Sequence, residues 1–550
     1  MTNQRVKPVS AAERILRFNK IKSERVVVQQ KWDEITDYVM PYRGRFFDTN
    51  LDESSIQWDR AKFNYDSTAS NAHSTLSSNI HGAMTSPNIQ WFTLRFRDEK
   101  LNKNNTAMKW LEGCATRVHY ELLDSNFGLE VNETYQDICG FGTGAITLED
   151  MPGQGWTGLQ FKAVPLKQVF FEEDSMGRVL RFYRQIEWTP QQIISKFGDD
   201  VPQSVKDWEK AGMTDKKSVL FAIYPKNNKI IPVGERVAAS RRPWEYAYCL
   251  MDTAEELGKP GAYYEMPAFI PRWAKTSESV WGYSPAHLAM GDIQSLNSAR
   301  KMQLTMAEKL IDPPIFAEER AIIADLDLSA ASLNILRSVE GIKVFPSGGS
   351  IPVSDHMITQ LQDAVKDYFF VDQLMFPRPQ GTPMSATEVM VRQDNMARFM
   401  APTMARLQND MLDPIISRAF KMLARAGEIE SPPQIVVDNN AAFDIQYLGS
   451  LSRAQNSDKA ASVERLVGNV ANLAEVFPEA LDVIDADNMV RDMARDLNVS
   501  ATILRDDTEV KVLRMQREDQ QAQMQQAVIQ QQQGDAMKAQ GEGQQAMEGA

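Results

Sequence analysis

The feature that most constrains this chain is the stretch WGYSPAHLAMGDIQSLNSARKMQLTMAEKLIDPP, residues 281–314. Within it Ala286, Ala289, Ile293, Leu296, Leu304, Ala307 and Ile311 fall on one helical stripe, spaced by threes and fours or their sums. Pro285 suits a first helical turn, and Asp312 is driven out of the helical region by the prolines that follow it. The spacing therefore predicts one unbroken rod from Pro285 to Ile311, roughly 40 Å long at about 1.5 Å per residue. Arg300 and Gln303 interrupt the stripe, so the middle of the rod is expected to meet something polar.

From about Ser284 to Gly427 the chain reads as long helices around one compact insertion. The insertion, about residues 315–353, contains GIKVFPSGGSIPV, whose glycines, prolines and short β-branched runs predict strands and turns. A second helix is expected after Ser354 as N-cap, with Ile358, Leu361, Val365 and Phe369 on one face. FPRPQGTP, Phe376 to Pro383, is too rich in proline and glycine for helix or strand. Ser385 and Glu388 then form a capping box that opens a helix running to about Arg425. Pro402 and Pro414 lie inside it, which predicts bends, because each removes a backbone donor and crowds the preceding turn.

The part before this run mixes helix with strand. AAERILRFNKIKSERVVVQQKWDEITDYVM predicts an amphipathic helix with Ile15, Phe18, Val26, Trp32, Ile35 and Val39 inward and its basic side chains on a solvated face. SVLFAIYP and WEYAYCLM predict strands. Toward the end, IVVDNNAAFDIQYL reads as a short strand, followed by helices rich in Ala, Leu and Val. Beyond Gln516 the Gln-rich sequence has too few apolar residues to drive a core, and disorder is expected there. The fold class expected is α+β, mainly helical.

Composition excludes several classes. The net charge is -13 over 550 residues, and no stretch approaches the roughly 18 apolar residues of a bilayer span, so no membrane partner is expected. MTNQRVKPVS carries no signal-peptide core. Cys114, Cys139 and Cys249 are few and far apart, which argues against a disulfide framework or a zinc site and fits a reducing compartment.

Catalytic constellations fail for physical reasons. GYSPA, Gly282 to Ala286, resembles a nucleophile elbow, but that device needs the N–H of the residue after the serine, and Pro285 has none. GFGTG, Gly140 to Gly144, lacks the Lys and Ser or Thr of a phosphate loop and reads better as a tight turn between helix and strand. His73, His81, His119, His287 and His356 are scattered, with no HExxH motif among them. Glu172, Glu173 and Asp174 precede Gly177, the pattern of a hairpin turn rather than of a metal or general-base site. No catalytic or metal-ligating residue and no cofactor is expected.

Five segments in this order resemble the portal proteins of short-tailed bacteriophages: YDSTASNAHSTLSSNIHGAMTSPNIQWFTL, GFGTGAITLED, VPLKQVFFEEDSMGRVLRFYRQ, WGYSPAHLAMGDIQSLN and MSATEVMVRQDNMARFMAPTMARLQNDML. The resemblance covers nearly the whole chain. It implies a wing over residues 1–280, stem helices over 281–311 and 354–375, and a clip over 312–353. A tunnel loop over 376–384, a kinked helix returning to the wing over 385–450, a helical crown over 451–515 and a Gln-rich tail over 516–550 complete the layout. It further implies a ring, usually a dodecamer, at one capsid vertex of the virion, assembled in the host cytoplasm and serving DNA packaging and genome ejection. Implied partners are the major capsid protein, a scaffolding protein, the packaging motor (terminase large subunit), a tail adaptor protein and nonspecific double-stranded DNA. On this mapping Phe376, Arg378 and Gln380 of the tunnel loop touch DNA in the channel. The alternative for Arg378 is an ion pair with a neighbouring subunit's carboxylate. Acidic charge suits sliding, since tight nonspecific binding needs Lys and Arg to neutralise phosphates. Two rival readings are a scaffolding-type assembly protein, suggested by the Gln-rich end, and a hydrolase, which lacks its constellation.

Overall fold

The computed structural model describes residues 9–44, 46, 64–87, 89–102, 104–151, 155–226, 231–311, 315–317, 342–344, 351–371, 400–439, 442–448, 462–473, 477, 485–496, 503, 505 and 509–526. It is an α+β protein, mainly helical. The chain forms two compact units, one of Met1–Ile89 with Tyr120–Glu428 and one of Gln90–His119 with Ile429–Ala550.

The larger unit opens with helix α1 (Ala11–Tyr38), capped by Ser10, whose Oγ accepts from the Glu13 N–H at 3.3 Å. Its inward stripe is Phe18, Ile21, Arg25, Gln29, Trp32 and Ile35. Two of its basic residues are not on the solvated face expected of them, because Arg14 and Arg25 are each only 2% exposed. Arg25 donates to the carbonyls of Leu166, Lys167 and Val169 at 2.6–3.0 Å and lies 3.6 Å over the Phe170 ring. A planar fork of donors can satisfy a turn's carbonyls while its stem covers apolar surface, which is why arginine is tolerated there. Burial lowers the Arg25 pKa to about 9. Val26, expected inside, is 39% exposed.

Helices α2 (Thr68–Met84) and α3 (Phe127–Phe141) pack together. After α3 come strands β1 (Ile146–Asp150), β2 (Leu159–Ala163), β3 (Val169–Glu173) and β4 (Val179–Trp188). Short helices α4 (Pro190–Phe197) and α5 (Gln203–Lys210) precede β5 (Lys217–Pro225), β6 (Trp244–Leu250), β7 (Glu256–Tyr263) and β8 (Ala268–Phe269). Strands β3 to β7 form an antiparallel meander in chain order, and β1 lies between β2 and β8 in a second sheet. The near-continuous apolar run of β5 follows from burial on both faces. Leu220, Ala222 and Tyr224 meet Phe18 and Ile21 of α1, while Val219, with Leu250 and Leu257, meets Ile193 of α4 and Val205 of α5.

Helix α6 (Pro285–Ile311) follows. Strands β9 (Ile315–Ala317) and β10 (Ile342–Val344) pair antiparallel, and helix α7 (Ile351–Tyr368) packs on α6. Helix α7 starts earlier than Ser354, because Pro352 serves as a first-turn residue and carries the start back to Ile351. Its buried face is Ile358, Val365 and Phe369. Residues 400–407 are helical, Gln408–Leu412 form a π turn, and helix α8 (Asp413–Ala426) continues to Gly427 at φ 90°. The π turn sits directly before Pro414, where the wider turn accommodates the missing N–H and the ring's clash.

In the smaller unit the strand Phe92–Phe96 pairs antiparallel with Phe443–Tyr447. Ala107, Leu111, Cys114, Ala115 and Val118 are buried along one face of the helix Asn105–Asp124, whose part up to His119 belongs to this unit. The short strand expected in IVVDNNAAFDIQYL is Phe443–Tyr447, and the stretch before it, Gln434–Asp438, is a short helix that follows Pro433, with Val436 buried. Residues 509–526 are helical, including the start of the Gln-rich segment, and Arg514 clamps Asp487 of the helix Ala486–Asp496 at 2.6 and 2.7 Å. All three cysteines are free and buried.

Candidate functional site

The two motifs that failed as catalytic loops meet each other in the structure. GFGTG ends α3 and WGYSP opens α6, and together they root the long helix in the larger unit. Gly142 adopts φ 74°, the left-handed conformation that ends a helix at no Cβ cost. Its carbonyl accepts from the Trp273 N–H at 2.9 Å. Across from it the Gly282 N–H donates to Thr143 Oγ1 at 3.0 Å, the Tyr283 N–H to the Ala274 carbonyl at 2.9 Å, and Ser284 Oγ to the Gly140 carbonyl at 2.6 Å. Trp281 stands edge-on to Trp32 and Phe171, with ring centroids 5.1 and 4.7 Å away, and Trp32 Nε1 donates to the Phe141 carbonyl at 3.0 Å.

Ser284 and His287 do approach, Oγ to Nδ1 at 3.0 Å, but the pair is a helix start rather than a nucleophile and its base. His287 Nδ1 also accepts from the Ser284 N–H at 3.2 Å, Ser284 is 0% exposed, and its hydroxyl is spent on Gly140. Burial, with nearby Lys31, lowers the His287 pKa to about 4, which keeps the ring neutral and its Nδ1 an acceptor. The other histidines are dispersed. His73 is buried against the Gln136 carbonyl at 2.8 Å, His81 meets Thr85 at 3.1 Å, His119 lies 6.0 Å from the Phe92 ring, and His356 meets Gln360 at 3.1 Å. Among the described residues no three His, Cys, Asp or Glu side chains are placed to hold a metal ion.

Glu172, Glu173 and Asp174 close the β3–β4 hairpin, whose turn has Gly177 at φ 77°. Glu172 pairs with Arg181, and Asp174 with Arg178 at 3.0 Å. Glu173 pairs with both Arg272 and Lys275. Arg272, whose side chain is 5% exposed, reaches on to Asp410 in the π turn at 3.2 Å. One guanidinium thus joins the hairpin, the segment leading to α6, and the π turn before α8. Farther along the same helix Arg418 donates to the Leu148 and Glu265 carbonyls at 3.2 and 2.7 Å, and Arg425 grips Glu265 through both nitrogens at 2.8 and 2.9 Å.

From this root α6 runs outward. Its first half buries Ala286, Ala289, Met290, Ile293 and Leu296, whereas Met302 and Ile311 are 71% and 86% exposed. Asn297 accepts from the Tyr65 N–H at 2.7 Å, and Gln362 of α7 donates to Asp66 at 2.8 Å. The polar interruption at Arg300 and Gln303 meets a polar partner, since Gln303 donates to Asp355 of α7. The tunnel-loop residues Phe376, Arg378 and Gln380 lie outside the described residues, as does most of 312–353. What the sequence reading missed is the Arg272 junction; its only signal was the acidic run itself.

These features define a mixed, mainly helical chain with a helix pair rooted at a glycine-lined junction. The chain belongs to a family described as bacteriophage head to tail connecting protein, which matches residues 11–504. It is 26% identical over 535 residues to a probable portal protein of Bordetella phage BPP-1, covering 93% of this chain and 92% of that one. It is 25% identical over 517 residues to the portal protein of Salmonella phage epsilon15, covering 92% and 91%. Among the described residues no helix is long and apolar enough to cross a membrane.

Proposed function

We propose that this head-to-tail connector acts as a ring, of twelve copies in the family's usual form, at one capsid vertex. The ring is the conduit through which double-stranded DNA is packaged and ejected and the seat of the tail. Family membership over residues 11–504 carries the reading. In this reading residues 1–280 are the wing, α6 and α7 the stem, β9 and β10 part of the clip, and 451–515 the crown. The capsid protein and scaffolding protein meet the ring during assembly, and a tail adaptor follows. The role is structural, and a separate motor ATPase, the terminase large subunit, drives the DNA.

End-on electron micrographs of the purified protein are expected to show closed rings with a central channel. A compact monomer at high concentration and moderate salt would remove the ring reading. Within the ring, Phe376, Arg378 and Gln380 face the DNA. One phosphate contact per subunit is weak and salt-dependent, which suits sliding. Arg378→Ala is expected to leave rings intact and to reduce genome packaging or retention in assembled particles. Parent-like packaging and retention at every salt concentration would remove Arg378 from the contact.

A further inference from the structure

A groove of about 880 Å³ runs along the helix that carries the π turn, walled by residues 402–421 on one side and by the β3–β4 hairpin tip with residues 265–275 on the other. Its lining reverses the charge balance of the chain. Arg178, Arg272, Lys275, Arg406, Arg418 and Lys421 stand against Glu265 and Asp410, in a protein whose acids outnumber its bases by 73 to 60. Four of the cations are engaged internally, with Asp174, Glu173, Asp410 and Glu265 as their partners. Arg406 and Lys421 are different. Both are part-buried, both sit on the stripe that includes Asp410, Pro414 and Ser417, and neither makes an ion pair or hydrogen bond with any described residue.

Their stems are covered while their charges, unpaired with any described residue, stay available to an anionic partner. The shape restricts what that is. Phe269 and Ile270, 6% and 2% exposed, line the same groove, so the two cations border a concavity rather than a ridge. A DNA duplex is convex and would meet the rim, whereas a narrow extended peptide can lower carboxylates between the walls. A cleft of this size also lies within the roughly 300–1,000 Å³ of ordinary ligand sites. We propose that the groove receives an acidic segment of a second copy of this chain, whose carboxylates pair with Arg406 and Lys421. The inference rests on the ring reading, which sets each subunit beside another, and it supplies attraction that like-charged subunits otherwise lack.

The test uses rings assembled from an equal mixture of isotopically light and heavy full-length chains, treated with a carbodiimide that joins amines to carboxylates without a spacer. The expected product is a mixed-isotope peptide pair linking Lys421 to an aspartate or glutamate. Arg406→Glu/Lys421→Glu should raise the concentration for half-assembly by about tenfold or more at low salt, with the difference shrinking as salt screens the contact. Should that variant unfold, Arg406→Gln/Lys421→Gln with a parent-like melting profile replaces it. Rings that form normally while Lys421 couples only within one chain, or not at all, overturn the groove and spare the ring. Protection of Lys421 from amine labelling only when a DNA duplex is added would assign the groove to phosphates and equally overturn the proposal. Absence of rings in the parent protein removes both.

Discussion

Gly282→Ala is expected to cost about 4 kcal/mol of stability or more, at the upper end of what single substitutions do, and to yield little folded protein. A Cβ at this position would lie 2.2 Å from the Gly142 carbonyl oxygen and 3.0 Å from both the Ala274 oxygen and the Arg272 Cβ. The first two obstacles are backbone, so no rotamer change relieves them. Nor can the backbone retreat cheaply, because the Gly142 carbonyl is held by Trp273 and the Ala274 carbonyl by Tyr283, each at 2.9 Å. Opening the junction would break both, and the root of α6 with them. Gly291→Ala is the control. It lies on the same helix with nothing within 4 Å of the added carbon, so the change should stabilise by about 0.5–1 kcal/mol through helix propensity alone. Chemical denaturation followed by circular dichroism measures both. A Gly282→Ala protein within 1 kcal/mol of the parent would mean that the junction is looser than its geometry requires.

That junction also shows what the sequence could and could not disclose. The length of α6 was readable because helix periodicity and terminating prolines are local signals, and Pro285 and Pro313 carry them. The pairing of Gln303 with Asp355 was anticipated only as a polar interruption, since a stripe announces that a polar partner exists without naming it. GFGTG and WGYSP were each legible as turns, but 138 positions separate Gly144 from Gly282, and nothing local says that two glycine turns will interlock. Arg14 and Arg25 went wrong for a related reason. Their spacing from Phe18 and Ile21 places them on the inward stripe, yet charge argues for solvent, and only the carbonyls of Leu166, Lys167 and Val169 reverse the balance for Arg25. The strand in IVVDNNAAFDIQYL was legible as a stretch but not in its bounds, since the β-branched Ile435, Val436 and Val437 are helical and the strand is Phe443–Tyr447. The candidate channel residues rest on family mapping, because a Pro/Gly loop has no periodicity from which a facing direction can be read.

Arg272→Ala is expected to destabilise the larger unit by about 3–5 kcal/mol, the cost of removing one partner from a buried ion network. Among the described residues the substitution leaves Glu173 with Lys275 and Asp410 without an ion-pair partner, at side-chain exposures of 10% and 13%. Loss of apolar stem contacts adds a smaller part. The energetic question is whether Arg272 acts as a tie or merely as filler, and a double-mutant cycle separates the two. Asp410→Ala alone leaves Arg272 its contact with Glu173 and should cost less than Arg272→Ala. The combined variant should fall short of the sum of the singles by about 1–3 kcal/mol, because the second change removes a charge already stranded by the first. Additivity within about 0.5 kcal/mol would make Arg272 a packing residue. Hydrogen exchange locates the effect, since amides of the π turn Gln408–Leu412 should lose protection more than those near Gly427 if the guanidinium holds that turn in place. Uniform loss across both would mean that the network stabilises the unit without fixing the turn, and that the accommodation of Pro414 does not depend on it.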